Sequence, residues 1–367
     1  MIYLDNSATT RVLPEAADAA YRAMTEQYYN PASAYKPAVA AEKEVEAARG
    51  RLADALFCAP AEVIYTSGGT ESNNMAILGS IKPLRGKKRI ITTAGEHPSV
   101  LEVFHSLKDA PETEVVVIGL NPDGTANLDE LEQALSEDTA LVSVMHVNNE
   151  VGSVNDLSAV SARIKQRAPG ALLHSDGVQA FCKLPFSRLP VDLYSVSAHK
   201  FHAPKGVGAL MVKNGVKFSG GQIGGGQERS LRSGTTNVPG ILGLDTALTA
   251  YRANREDWAA NMRDCKLRLW EALRAIPDAL VTGPAPESGA PHILNVSFPG
   301  VRGEVLVGAL YPKEFMSQLA APAPPTRRQT ASSAQWVFPV RVPRARFSQH
   351  FCPFNTLDQM DTVAPNS

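Results

Sequence analysis

Seven short runs rich in Val, Ile and Leu mark the chain as far as residue 212: EVIYTS, KRIITTA, TEVVVIGL, ALVSVMHV, ALLHSD, DLYSVSA and GALMVK. Their length and their bounding turn residues read as buried strands. Between most of them apolar residues recur at helical spacing, as Leu128, Leu131 and Leu135 do in NLDELEQALSED. Strands alternating with helices predict a largely parallel sheet covered on both faces. After about residue 245 the pattern turns helical in YRANREDWAANMRDCKLRLWEALRAI and then strand-like in HILNVSF. This change predicts a second, smaller domain.

Composition narrows the field. The 367 residues are 44% apolar and 20% charged, with a formal charge of −1. That balance suits a compact globular protein and offers no general attraction to nucleic acid or to an anionic membrane. No apolar run is long enough to cross a bilayer. MIYLDNSATTRVLPE has neither the basic start nor the apolar core of a secretory signal. Cys58, Cys182, Cys265 and Cys352 lie far apart without CxxC spacing, which argues against both a zinc site and a disulfide framework. The expected compartment is the reducing cytoplasm.

In such sheets ligands sit beyond the carboxyl ends of the strands, so the residues that follow strands carry the chemistry. YTSGGTESNNMAIL runs from a strand through Gly68 and Gly69 into a helix opening near Thr70. It is either a tight turn or a seat for an anion on free N–H groups. No GxxxxGK[ST] is present, so a phosphate monoester suits it better than a triphosphate. In ALLHSDGVQA, Asp176 either caps a turn or sets a fixed charge against a heterocyclic nitrogen, with the Gln179 amide reaching a ring oxygen. His97 in EHPSV is either a satisfied polar residue or a catalyst, and Asn148 and Asn149 could serve turn backbone groups. Lys200, in SVSAHKFHAPKG, is either a solvated turn residue or an amine kept for chemistry.

Together they make the inventory for one cofactor, pyridoxal 5′-phosphate. It needs a phosphate cup (Thr70, Ser197, His199), an acid at the ring nitrogen (Asp176), a ring cover (His97) and a lysine tether (Lys200). The tether must be neutral to attack an aldehyde, which burial and nearby cations favour.

SVSAHKFHAPKGVGAL, HSDGVQA, TSGGTESNN, EHPSV, VNNEVG, GGGQERSLRSGTTNVPG and the opening YLDNSATT resemble the cysteine desulfurases of the NifS/IscS type. These form part of the class V aminotransferase branch of fold-type I pyridoxal enzymes. The resemblance runs from Met1 to about Pro312 and resumes at FNTLDQMDTV. It implies an α/β fold with a mainly parallel seven-stranded sheet in a large domain over 15–245, and a smaller α+β domain from 1–14 and 246–367. It also implies Lys200 as the Schiff-base lysine, Asp176 at the pyridinium nitrogen and Gln179 as donor to the ring hydroxyl oxygen. His97 would stack on the ring and help move protons. Gly69, Thr70, Ser197 and His199 would form the phosphate cup, and Asn149 would contact cofactor and substrate carboxylate. Thr235 would reach the phosphate of a second subunit, implying a homodimer, while Arg232 would fix its loop to its own backbone. The implied reaction converts L-cysteine to L-alanine. Sulfur would pass through a persulfide on a mobile-loop cysteine to an acceptor or scaffold protein for iron–sulfur cluster assembly. Alternatives are another class V enzyme, such as an aminotransferase or selenocysteine lyase, and an inactive pyridoxal-phosphate-binding homologue.

One departure falls where the family carries that cysteine, in a loop of the type SGSAC. From Phe315 to Leu357 there is no Asp, Glu or Lys, yet there are five Arg and six Pro. Joining the third base of each codon to the first two of the next permits IYVST from Glu314–Leu319, then Gly, Ser, Ala and Cys up to Pro322–Ala323. Codons for this stretch thus permit the family's loop out of frame. The expectation is a frameshift over this stretch, compensated before Phe354, leaving residues 315–353 divergent, disordered and without the nucleophile. The rival origin is a natural Arg/Pro-rich segment. Cys352, in HFCPFN, does not match the nucleophile's setting, and Arg346 is the candidate for the family's carboxylate-binding arginine. Cys58 and Cys265 are expected in helices and Cys182 in a loop beside a strand.

Overall fold

The computed structural model describes residues 2–86, 88–301, 315–319 and 344–363. After β1 (Ile2–Leu4), the seven apolar runs become β2 (Val63–Thr66), β3 (Lys88–Thr93), β4 (Thr113–Ile118), β5 (Thr139–Ser143), β6 (Leu172–Asp176), β7 (Leu193–Ser197) and β8 (Gly208–Val212). They form one sheet in the order β2-β8-β7-β6-β5-β3-β4. The strands from β4 to β7 run parallel, and β8 turns back antiparallel between β7 and β2. The architecture is the α/β sheet that the pattern predicts.

Alternation along the strands loads both faces. Val63, Tyr65, Ile91, Val142 and Tyr194 join one core with α1 (Pro14–Thr25), α2 (Lys36–Leu56) and α6 (Leu157–Arg167). Ile64, Ile90, Leu141 and Leu193 face the other way, against α3 (Gly69–Ile81) and α4 (Pro98–Ser106). A short helix, α5 (Leu128–Ala134), adds Leu131 to the first core.

A second sheet has the order β1-β11-β12-β10-β9, with β9 (Leu280–Val281), β10 (Ile293–Pro299), β11 (Phe315–Leu319) and β12 (Arg344–His350). Helix Val238–Leu273 serves both sheets and departs from helical geometry at Asn254 (φ −117°, ψ 16°). Before that point Ile241, Leu244 and Leu248 pack on the first core. Beyond it Met262, Cys265 and Leu269 pack with Leu4, Leu294, Val296 and Phe347.

Two expectations change. Within the divergent stretch, residues 315–319 and 344–350 are strands rather than disordered, because β12 finds a continuous partner from Ile293↔His350 to Pro299↔Arg344. Cys58 lies in the turn beyond α2, not within a helix. The site of the family's cysteine loop, 320–343, lies outside the described residues.

β12 carries one misfit. Gln349 pairs with Leu294 on the face where Phe347 pairs with Val296, and that face feeds the apolar core. Gln349 is fully buried, and neither end of its amide has a partner among the described residues. Each unpaired buried polar group costs on the order of 1–3 kcal/mol. Gln349→Leu should therefore stabilise the fold by about 2 kcal/mol, read as a higher urea midpoint at unchanged slope; an unchanged midpoint would contradict this placement.

Candidate active site

A cavity of about 330 Å³ opens at the carboxyl ends of the parallel strands, lined by Gly69, Thr70, His97, Asn149, Asp176, Gln179, Ser197, His199 and Lys200. Ser7, Ala8, Asn73, Ser99, Met145 and Val178 complete its wall. Every residue singled out for the cofactor is there except Thr235. That residue is exposed, in the loop before the Val238 helix.

The anion end is made of backbone. Gly68 sits at φ +149°, a conformation that L side chains rarely adopt. A Cβ on Gly69 would stand 2.7 Å from Val178 Cγ2. Two glycines are thus required for the turn to approach the cavity closely. α3 begins at Gly69 with no side chain capping it, so its first N–H groups remain available to an anion. Glu71 in the same turn accepts from the Ser67 N–H at 2.5 Å and is bonded by Arg232, at 2.8 Å and 3.3 Å. Against the upward push of burial, these bonds hold its carboxyl below the usual range. Arg232 therefore fixes its loop to the Glu71 side chain, not to its own backbone.

At the cavity's base Asp176 ends β6, buried. Its Oδ1 accepts from the Val178 N–H (2.9 Å) and its Oδ2 from Asn73 Nδ2 (2.7 Å). Burial raises its proton affinity, opposed by those two donors and by the nearby His97 and Lys200. The same Asn73 nitrogen donates to Ser99 Oγ at 2.9 Å, and Ser99 Oγ stands 2.8 Å from His97 Nδ1. Since Nδ1 also accepts from the Ser99 N–H, the ring proton of neutral His97 sits on Nε2. Burial lowers the pKa of His97 and brings that of His199 to about 4, so both rings are neutral at pH 7.

Lys200 follows β7 in the turn Ala198–Lys200. Its Nζ donates to the carbonyls of Ser7 (2.5 Å) and Ala8 (2.9 Å). Burial brings its pKa from 10.5 to about 8, partly offset by Asp176 and Asp5. Only the neutral amine attacks an aldehyde. Covalent attachment of pyridoxal phosphate should therefore speed up about tenfold per pH unit below 8 and level off above it. A rate still climbing towards the ordinary lysine value of 10.5 would contradict this.

Gln179 Nε2 donates to the Ser7 carbonyl at 3.0 Å, and its Oε1 accepts from Lys183 Nζ at 2.9 Å. The two asparagines divide their work. Asn148 Oδ1 accepts from the N–H groups of Glu150 and Val151, a turn role, while Asn149 lines the cavity. Arg346 lies in β12 opposite Ser297, its side chain outside the described residues. Asn73, Ser99, Lys183 and the Ser7 and Ala8 carbonyls are the contributors that sequence reasoning missed. TSGGTESNN and YLDNSATT contain three of these groups, but nothing in those motifs marks which residue touches what.

These groups fit pyridoxal phosphate. Among the described residues Asp176 is a buried carboxylate bonded only to neutral amides and Ser7 Oγ is buried without a partner, while Gly69 leaves the room a Cβ would fill. A sulfur nucleophile is another matter. No cysteine lines the cavity. Burial pushes the thiols of Cys58 and Cys265 up to about 12 and 11, and raises those of Cys182 and Cys352.

Residues 2–316 match the aminotransferase class-V family. The cysteine desulfurase IscS of Photorhabdus laumondii is 40% identical over 317 residues, covering 84% of this chain and 78% of that protein. The IscS of Escherichia coli O139:H28 is 42% identical over 320 residues, with the same coverage. Among solved structures, a NifS-like protein superposes with a TM-score of 0.90 at 34% identity, over 99% of this chain and 97% of the other. SspA in complex with cysteine superposes at 0.76 with 27% identity, over 88% and 90%. An uncapped glycine turn, a buried acid and a lysine of lowered pKa in one cavity agree with these matches, and the chain belongs to the aminotransferase class-V family, among its cysteine desulfurases.

Proposed function

We propose that this protein is a pyridoxal 5′-phosphate-dependent cysteine desulfurase whose site takes L-cysteine towards L-alanine. The observation that carries the reading is the meeting of Lys200, Asp176 and His97 with the α3 turn in one cavity. When bound, pyridoxal phosphate supplies an electron sink for negative charge at the substrate's α-carbon. Gly69, Thr70, Ser197 and His199 would hold the phosphate. Asp176 would face the ring nitrogen and keep its proton, and Gln179 would donate to the ring oxygen. His97 would cover the ring and move a proton through Nε2. Asn149 would orient the substrate carboxylate. Lys200 would tether the cofactor and, once released, take the α-proton, a role for which a pKa of about 8 suits it.

Thr235, exposed outside its own cavity, supports a homodimer in which it reaches the partner's phosphate. An acceptor or scaffold protein for iron–sulfur assembly, and a cytoplasmic setting, complete the reading.

Sulfur abstraction needs a thiolate. Residues 320–343 contain no cysteine, and each of the four thiols has a raised pKa. That favours a second reading, in which the chain as written binds cofactor and substrate without efficient sulfide release. The test is to add pyridoxal phosphate and then L-cysteine to the purified protein. A bound-cofactor visible band should form and shift with cysteine, with alanine rather than a keto acid as any product and sulfide near background. Failure to form the band, or a keto acid product, would overturn the desulfurase assignment; brisk sulfide release would overturn the second reading.

A further inference from the structure

Lys183 poses a puzzle that the proposed chemistry leaves open. It sits in the turn after β6, only 3% exposed. No carboxylate pairs with it among the described residues. Its neighbours in charge are Lys200, Cys182 and Cys352, together with His199, His202, His292 and His350. Burial and Lys200 hold its amine near 7. An amine placed so unfavourably is not explained by ion pairing. Its hydrogen bond is to Gln179 Oε1, at 2.9 Å.

We propose that Lys183 is a positioning residue for Gln179, holding Oε1 out of the cavity so that Nε2 faces inward as a donor to the cofactor's ring oxygen. This rests on the cofactor reading above. The two ends of a side-chain amide have nearly the same shape, so their neighbours decide which way it points. Charged, Lys183 has three donors and no acceptor, so only Oε1 can meet it; neutral, it still has N–H donors to offer Oε1. On the other side the Ser7 carbonyl can only accept, and it takes one Nε2 hydrogen at 3.0 Å. Both neighbours impose the same orientation. The second Nε2 hydrogen is left for the cavity that Gln179 lines. Ser7 also accepts from Lys200 Nζ, so Lys183, Gln179, Ser7 and the tether lysine form one hydrogen-bonded row.

The test compares wild type, Lys183→Met, Gln179→Leu and the double variant as cofactor-loaded proteins. The readouts are the dissociation constant for pyridoxal phosphate and the pH midpoint of its visible band. Each single change should weaken binding about tenfold and move the midpoint upward, because the ring oxygen's anionic form loses its donor. The double variant should bind within about twofold of Gln179→Leu, since a residue acting through another adds nothing once that other is gone. Multiplying effects would overturn the proposal. So would a Lys183→Met protein that melts earlier yet keeps the wild-type affinity and midpoint. Should Lys183→Met fail to fold, Gln179→Glu gives the buried amine a carboxylate and removes the donor. It should hold or raise the melting temperature while weakening the cofactor at least about tenfold, and wild-type affinity there would overturn the proposal. A wild-type protein that binds no pyridoxal phosphate would instead refute the cofactor reading itself, and this one with it.

Discussion

Lys200→Ala should abolish covalent attachment of pyridoxal phosphate. Borohydride reduction of the loaded wild-type protein should fix the cofactor's mass on the peptide containing Lys200, and on no peptide of the variant. A rival amine is Lys183, whose pKa is also lowered, to about 7. Peptide mapping separates the two: Lys183 is buried and occupied by Gln179, whereas Lys200 lines the cavity. A label on Lys183, or none in wild type, would refute the tether assignment. In a chain given the family's cysteine loop, Lys200→Ala should cut turnover of L-cysteine by about a thousandfold, within the range expected for removing a positioned acid–base group. The fold should survive, because truncation removes a partly buried cation and leaves only the Ser7 and Ala8 carbonyls without its bonds. Melting within a few degrees of wild type distinguishes a chemical loss from an unfolded protein.

The second large effect concerns sulfur. Rewriting residues 314–327 in the shifted frame, to IYVSTGSAC, two further residues and HK, should raise sulfide release by at least about a hundredfold, the scale on which an activated nucleophile acts. Replacing that new cysteine by serine should return the rate to background while leaving the cofactor band unchanged. Pro322→Cys alone should do far less, because a thiol outside its loop gains neither proximity nor a lowered pKa. If the rewritten chain stays silent, the missing nucleophile is not what limits it. Resequencing the coding DNA bears on the origin of the segment; an uninterrupted frame with no nearby insertion or deletion would sink the frameshift. On the frameshift reading, the amide of Gln349, buried on the face of Phe347 and without a partner among the described residues, is a misfit to be expected.

Much of the site was legible because of where its residues fall. Asp176 ends a strand, His97, Lys200 and the Gly68–Gly69 turn follow strands, and ligands of parallel sheets gather at strand ends. The sheet itself was legible from apolar runs whose period of two loads both faces. Asn148 and Asn149 show the limit. Adjacent and of one residue type, they are told apart in the sequence only by the family resemblance, whereas in the structure one serves its own turn and the other lines the cavity.

What the chain alone determined, then, was local: strand faces, helix starts and the kinds of side chain delivered to each strand end. Only the tertiary structure decided which groups complete them. The Ser7 carbonyl meets Lys200 across 193 residues of chain, Asn73 meets Asp176 across 103, and Arg232 meets Glu71 across 161. Every residue carries a backbone carbonyl, so none is marked by residue type, and a contact between distant segments leaves no periodic trace. Folding alone supplies that information, by bringing each donor within hydrogen-bond reach of its acceptor.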